Sequence, residues 1–102
     1  MEDFKLGIID QLGEYTIWAV DQAKVKVLFD PDFTEGANGL ARKYCPRYEV
    51  WISNTMLGDQ APFIIIHEFT EIGLMEEGMS YEDAHNIANA IEMACRRGEL
   101  YG

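Results

Sequence analysis

Phe63-Ile64-Ile65-Ile66-His67-Glu68-Phe69-Thr70-Glu71-Ile72-Gly73-Leu74-Met75 is the stretch around which the chain is organised. Its apolar residues fall on every side of a 3.6-residue wheel, so it reads as a helix buried on most of its circumference, not as an amphipathic surface helix. One histidine and two carboxylates stand at its centre. An ionised carboxylate taken out of water without a partner costs several kcal/mol or shifts its pKa until it neutralises, so a buried Glu is paired or bound to a metal. His67 and Glu71 are four positions apart and share one helix face, while Glu68 projects about a third of a turn away.

Working outward, Asn54 to Gln60 reads as a loop with a Gly58-Asp59 turn signal, and Pro62 suits the first turn of the helix, with Asp59 or Gln60 as its cap. The helix should end near Glu77, because Gly78 fits the left-handed position after a helix. Ser80-Tyr81-Glu82-Asp83 has the layout of a capping box and opens a second helix, which buries Ala84, Ile87, Ala88, Ile91, Ala94 and Cys95. His85, Asn89 and Glu92 form a polar shoulder beside that stripe, Arg96 and Arg97 suit its C-terminal end, and Gly98 stops it. The two helices are expected to pack as an antiparallel hairpin.

Upstream, Phe4, Ile8, Leu12, Tyr15 and Ala19 give a helical stripe from Asp3 to about Gln22, weakened by Gly7 and Gly13. Val25, Val27 and Phe29 alternate with Lys24, Lys26 and Leu28 as in a short strand, stopped at Asp30-Pro31-Asp32. Residues 30–39 read as a loop; its Asp30, Asp32, Glu35 and Asn38 do not follow the order of an EF-hand, so calcium is not expected. Leu40 to Tyr44 and Tyr48 to Ser53 have strand composition and are close enough to form a hairpin through Cys45-Pro46-Arg47. The second of these has Tyr48, Val50 and Ile52 on a face to bury and Glu49, Trp51 and Ser53 on a partly polar face to expose. The fold class expected is α+β: an N-terminal helix, about three short strands, and two C-terminal helices in a hairpin.

Composition narrows function. The chain has 102 residues, 48% of them hydrophobic, which is one domain, taken as 1–102, with a modest core and no room for a second. A formal net charge of −10 with only eight Lys and Arg argues against nucleic acid and against an anionic membrane as partner. The start, Met-Glu-Asp-Phe-Lys, lacks the features of a signal peptide and no run approaches the length of a membrane span, so a cytoplasmic location is expected. Cys45 and Cys95 stand fifty positions apart without a Cys-x-x-Cys pair and read as structural thiols.

In an antiparallel hairpin turning near residues 78–79, His85 comes level with Glu71 and Ile72, with His67 one turn deeper. His67, Glu71 and His85 would then form a set of two histidines and one carboxylate, a common catalytic zinc set that leaves a fourth position for water. Glu68, pointing elsewhere, is free to act as general base toward that water. The plain alternative is that His67 and Glu71 pair with each other or with Arg42, Lys43 or Arg47 and close a polar seam between helix and sheet.

His67-Glu68-Phe69-Thr70-Glu71 resembles the H-E-x-x-H active-site helix of zincin metallopeptidases, with a glutamate in place of the second histidine. The order of elements resembles the minimal single-domain gluzincins over roughly residues 24–95. Gluzincins usually take His, His and a later Glu as ligands; here the same composition is reached in permuted order, and Leu74 stands where metzincins have a glycine. The resemblance implies a zinc-dependent peptidase acting on a peptide or protein substrate, with Glu68 as catalytic base and His67, Glu71 and His85 on the metal. An exposed edge of the Tyr48–Ser53 strand would hold the peptide, and Tyr81, Tyr44 and Tyr48 are candidate oxyanion donors. Two other readings stand beside it: a non-catalytic module that binds metal or a partner, and a carboxylate-bridged di-metal protein built on Glu82-x-x-His85 with Glu68, Glu71 and Glu92, completed by dimerisation.

Overall fold

The computed structural model describes residues 3–98; residues 1, 2 and 99–102, which the expected domain also takes in, lie outside that range. The chain opens with two antiparallel strands, β1 (Lys5–Leu12) and β2 (Tyr15–Val20), where the sequence stripe predicts a helix. The physical reason lies in residues already noted as weak for a helix. Gly13 adopts φ +58 in the two-residue connection to β2, a left-handed conformation that glycine takes without a Cβ penalty. β2 then alternates Ile17 toward one face and Trp18 and Val20 toward the other, the period of a strand.

The expected strand at 25–29 is also replaced. Asp21 turns its side chain back to accept from Lys24 N at 3.1 Å and caps a short helix, α1 (Gln22–Leu28). Only Val25 of this helix is buried, whereas Val27 is 85% exposed, so the Val25/Val27/Phe29 alternation did not carry a buried strand face.

Two further strands complete the sheet, β3 (Gly36–Asn38) and β4 (Glu49–Ser53), in the order β1-β2-β4-β3. β4 runs parallel to β2, with Thr16 opposite Glu49 and Val20 opposite Ser53, and antiparallel to β3, with Ala37 opposite Trp51. The 48–53 segment is therefore a strand as read, but not the partner of 40–44. Leu40 to Tyr44 is a turn instead, held by Asn38, whose carbonyl accepts from Arg42 N at 3.0 Å. β4 lies inside the sheet, so it offers no free edge to a peptide; the sheet edges are β1 and β3. Nor does β4 expose a polar face. Val50 and Ile52 pack with Ile17, Ile64 and Ile72 on one side, while Trp51 packs with Phe4, Val20, Val25 and Phe33 on the other. A strand paired on both edges and covered on both faces has no wet side.

Two turns of 3-10 helix, Asn54–Met56 and Gly58–Gln60, lead into α2 (Ala61–Glu76) and then α3 (Tyr81–Arg96), the helix hairpin expected from the sequence. Gly78 takes φ +104 in the turn, and Ser80 caps α3 through Asp83 N. No helix among the described residues is long and apolar enough to cross a membrane.

Candidate metal centre

The buried residues of α2 are Ile64, His67, Glu68, Glu71 and Ile72, a stripe at helical spacing that faces the sheet and α3. Ala84 and Ala88, both fully buried on α3, let the two helices approach closely. That approach sets His85 beside α2. Nε2 of His67 lies 2.8 Å from Glu71 Oε2, and Nδ1 of His85 lies 2.6 Å from the same oxygen. Each of the three residues offers a ligand atom within 4.8 Å of the other two.

The donor chemistry fits a zinc ion: two imidazoles and one carboxylate, with room in the set for a further ligand. Bonds of about 2.0–2.1 Å put the donors around a tetrahedral ion about 3.3 Å apart. The 2.6 and 2.8 Å separations here are those of hydrogen bonds, so the donors must spread by about half an ångström to admit an ion. Behind His67, Glu92 Oε1 stands 3.0 Å from Nδ1 without an aligned hydrogen bond, which leaves that buried nitrogen short of a partner. A carboxylate at the far nitrogen of an imidazole is the usual support of a metal-bound histidine. Glu92 is in turn held by Arg96 Nε at 2.8 Å, and Arg96 donates to Gln60 Oε1 at 2.6 Å.

Glu68 does not join the three. Its Oε1 accepts from Asn38 Nδ2 at 2.8 Å, and the same amide nitrogen donates to Glu71 Oε1 at 3.2 Å. Burial, and after it the charge of Glu71, push the Glu68 carboxyl up to about 7, against the Asn38 hydrogen bond and the positive neighbours. In the remaining two burial is outweighed: it lowers the pKa of His67 and raises that of Glu71. Against it, the hydrogen bond to Glu71 and the charges of Glu68, Glu71 and Glu92 raise the His67 pKa, and the bonds from His67 and His85 lower that of Glu71.

These groups floor a cavity of about 290 Å³. Its walls include Asp30, Asp32 and Glu35 from the loop before β3, Gly36 and Ala37 of β3, and Arg42, Tyr44, Tyr81 and Asn89. Of the three tyrosines considered, Tyr81 stands at the site, its hydroxyl 3.3 Å from His85 Nδ1 and accepting from Arg42 Nη2 at 2.9 Å. Tyr44 lines the cavity but donates to Asp30, and Tyr48 stacks edge-on with Tyr15 under Arg47. Of the cations named as alternative partners for His67 and Glu71, Arg42 is engaged with Tyr81 and Arg47 with Tyr15 and Glu76. Glu82 is exposed at the start of α3 and does not enter the cluster. Cys45 is buried against Glu49 O, and burial raises its thiol pKa far from any thiolate role.

Sequence reasoning missed the part played by Asn38, which it placed in a loop. The Asn38-Gly39 dipeptide signals a side-chain turn, but nothing local reports that the other end of the amide faces Glu68 and Glu71. No protein-family model matches the chain, and neither curated proteins nor solved structures give a significant match.

Proposed function

We propose that the chain is a zinc-dependent hydrolase acting on peptide bonds, a zincin-like peptidase with His67, Glu71 and His85 as metal ligands and Glu68 as general base. The observation that carries this reading is the meeting of those three donors from two helices at the floor of an open cavity, with a buried carboxyl beside them. A zinc ion held there supplies Lewis acidity toward a carbonyl and lowers the pKa of water toward neutrality.

The chain's own groups account for the rest. Glu68, held through one oxygen by Asn38, takes a proton from the attacking water with the other. As the carbon–nitrogen bond breaks, Glu68 returns that proton to the leaving amine. A carboxyl whose pKa lies near 7 suits both transfers. The peptide is held at β3, not β4. Glu35 O and Gly39 N bond to β4, so in the alternation of an antiparallel pair Gly36 turns its N–H and C=O outward, beside the cavity.

The test is direct: protein purified without added metal is assayed for bound zinc, then the zinc-loaded form is offered a broad peptide mixture. Bound zinc with peptide cleavage supports the reading. Bound zinc without cleavage favours a metal-binding module, and no zinc favours the polar seam, which the two imidazole contacts to Glu71 Oε2 already satisfy.

A further inference from the structure

Asn38 ends β3 with its side chain fully buried and every hydrogen-bonding group of its amide committed. Oδ1 accepts from Leu40 N and from Ala41 N, each at 3.0 Å. Those two backbone donors fix which way the amide faces, because a flipped amide would set its NH₂ against them. Nδ2 is thereby aimed at α2, where it donates to Glu68 Oε1 at 2.8 Å and Glu71 Oε1 at 3.2 Å. An amide nitrogen carries two protons, and each carboxylate receives one.

The consequence is a division of labour within each carboxylate. In Glu71, Oε1 is taken by Asn38 and Oε2 faces His67 and His85. In Glu68, Oε1 is taken by Asn38 and Oε2 lies against Gly36, so close that a Cβ there would come within 3.2 Å of it. One amide thus selects the working oxygen of the candidate ligand and of the candidate base.

We propose that Asn38 is the positioning residue of the centre: by engaging Oε1 of both glutamates it makes Glu71 a ligand through one oxygen and leaves Glu68 Oε2 as the proton acceptor. This rests on the zinc peptidase reading, the first half on the metal and the second on the hydrolysis. Freed from the amide, Glu71 can swing both oxygens onto the metal and raise its coordination number, and Glu68 loses the bond that orients it.

Two variants separate this role from the turn that Asn38 also holds. Asn38→Asp keeps an acceptor for Leu40 N and Ala41 N and replaces the donor by a carboxyl oxygen that faces the two glutamates; Asn38→Ala removes acceptor and donor without adding charge. Far-UV circular dichroism and a melting curve report on the fold. Zinc affinity is read by competition with a chromophoric chelator, coordination number from the visible band of cobalt-loaded protein, and kcat and KM on a peptide the wild type cleaves. Both variants are expected to lose zinc affinity or kcat by about tenfold or more, the range for partners behind a ligand. KM should stay within about twofold, and the cobalt band of Asn38→Ala should weaken as a fifth ligand enters. An unchanged cobalt band in Asn38→Ala, with zinc affinity and kcat within twofold in a folded Asn38→Asp, overturns the role of Asn38. A wild type that takes up neither zinc nor cobalt overturns the metal reading itself, which separates the two failures.

Discussion

Nδ1 of His85 lies 2.6 Å from Oε2 of Glu71, fourteen positions away in sequence and on the next helix. The same oxygen is 2.8 Å from His67 Nε2, so a single buried atom holds two imidazoles in place. His67 is 7% exposed and Glu71 2%, which makes this pair costly to break. His67→Ala should abolish stoichiometric zinc and destabilise the metal-free protein by about 3 kcal/mol, since a buried carboxylate then loses a charged partner. Elemental analysis and urea unfolding read the two effects; equal metal in wild type and variant rejects the ligand assignment.

Replacing Glu68 by Gln keeps shape and the acceptor for Asn38 while removing the base. Zinc should be retained, and peptide hydrolysis should fall by about a hundredfold or more. Hydrolysis at the wild-type rate would remove Glu68 from the mechanism.

The site also dictates how the metal-free protein responds to pH. Glu68, moved by burial from 4.5 to about 7, contributes stability fully below pH 4.5 and loses it as the pH rises through 7, a change on the order of 3 kcal/mol. His67, raised above 6.5, adds to that loss on the alkaline side. Glu71, lowered from 4.5, acts oppositely, its contribution present above 4.5 and lost as the pH falls through its folded value. Urea unfolding of metal-free protein should therefore show lower stability at pH 7.5 than at pH 5, with most of the difference gone in Glu68→Gln. A flat profile in the wild type would contradict this.

Saturating zinc should reverse the trend. At a free concentration a hundred times its Kd, a ligand bound only by the folded state adds about 2.7 kcal/mol, which is about 10–20 °C in Tm for a domain of this size. A chelator should remove that increment, and His67→Ala should show none of it.

Gly36→Ala tests how closely β3 and α2 meet. The added Cβ would stand 2.9 Å from Ile64 Cγ2 and 3.0 Å from Trp51 O, so β3 or α2 has to shift. A loss of about 1–3 kcal/mol is expected from overpacking of this kind. Unchanged melting would show that this strand yields freely.

The sequence by itself determined the helix hairpin and the meeting of His67, Glu71 and His85, because helical period and the Gly78 and Ser80 signals are local and a short antiparallel turn leaves one way to align two helices. It also determined that 48–53 is a strand, through its β-branched and aromatic residues. Only the tertiary structure decided residues 5–28. There, apolar spacing at Phe4, Ile8, Leu12 and Tyr15 fits a helix as well as a strand, and pairing of β2 with β4 settled the choice by burying Ile17 and Val20 on opposite faces. The partner of β4, and hence which edge is free, was equally nonlocal: β3 is three residues long and has almost no pattern of its own. Asn38 belongs with it. Its amide reaches thirty positions along the chain to Glu68, and a contact of that span exists only once the sheet and α2 have packed.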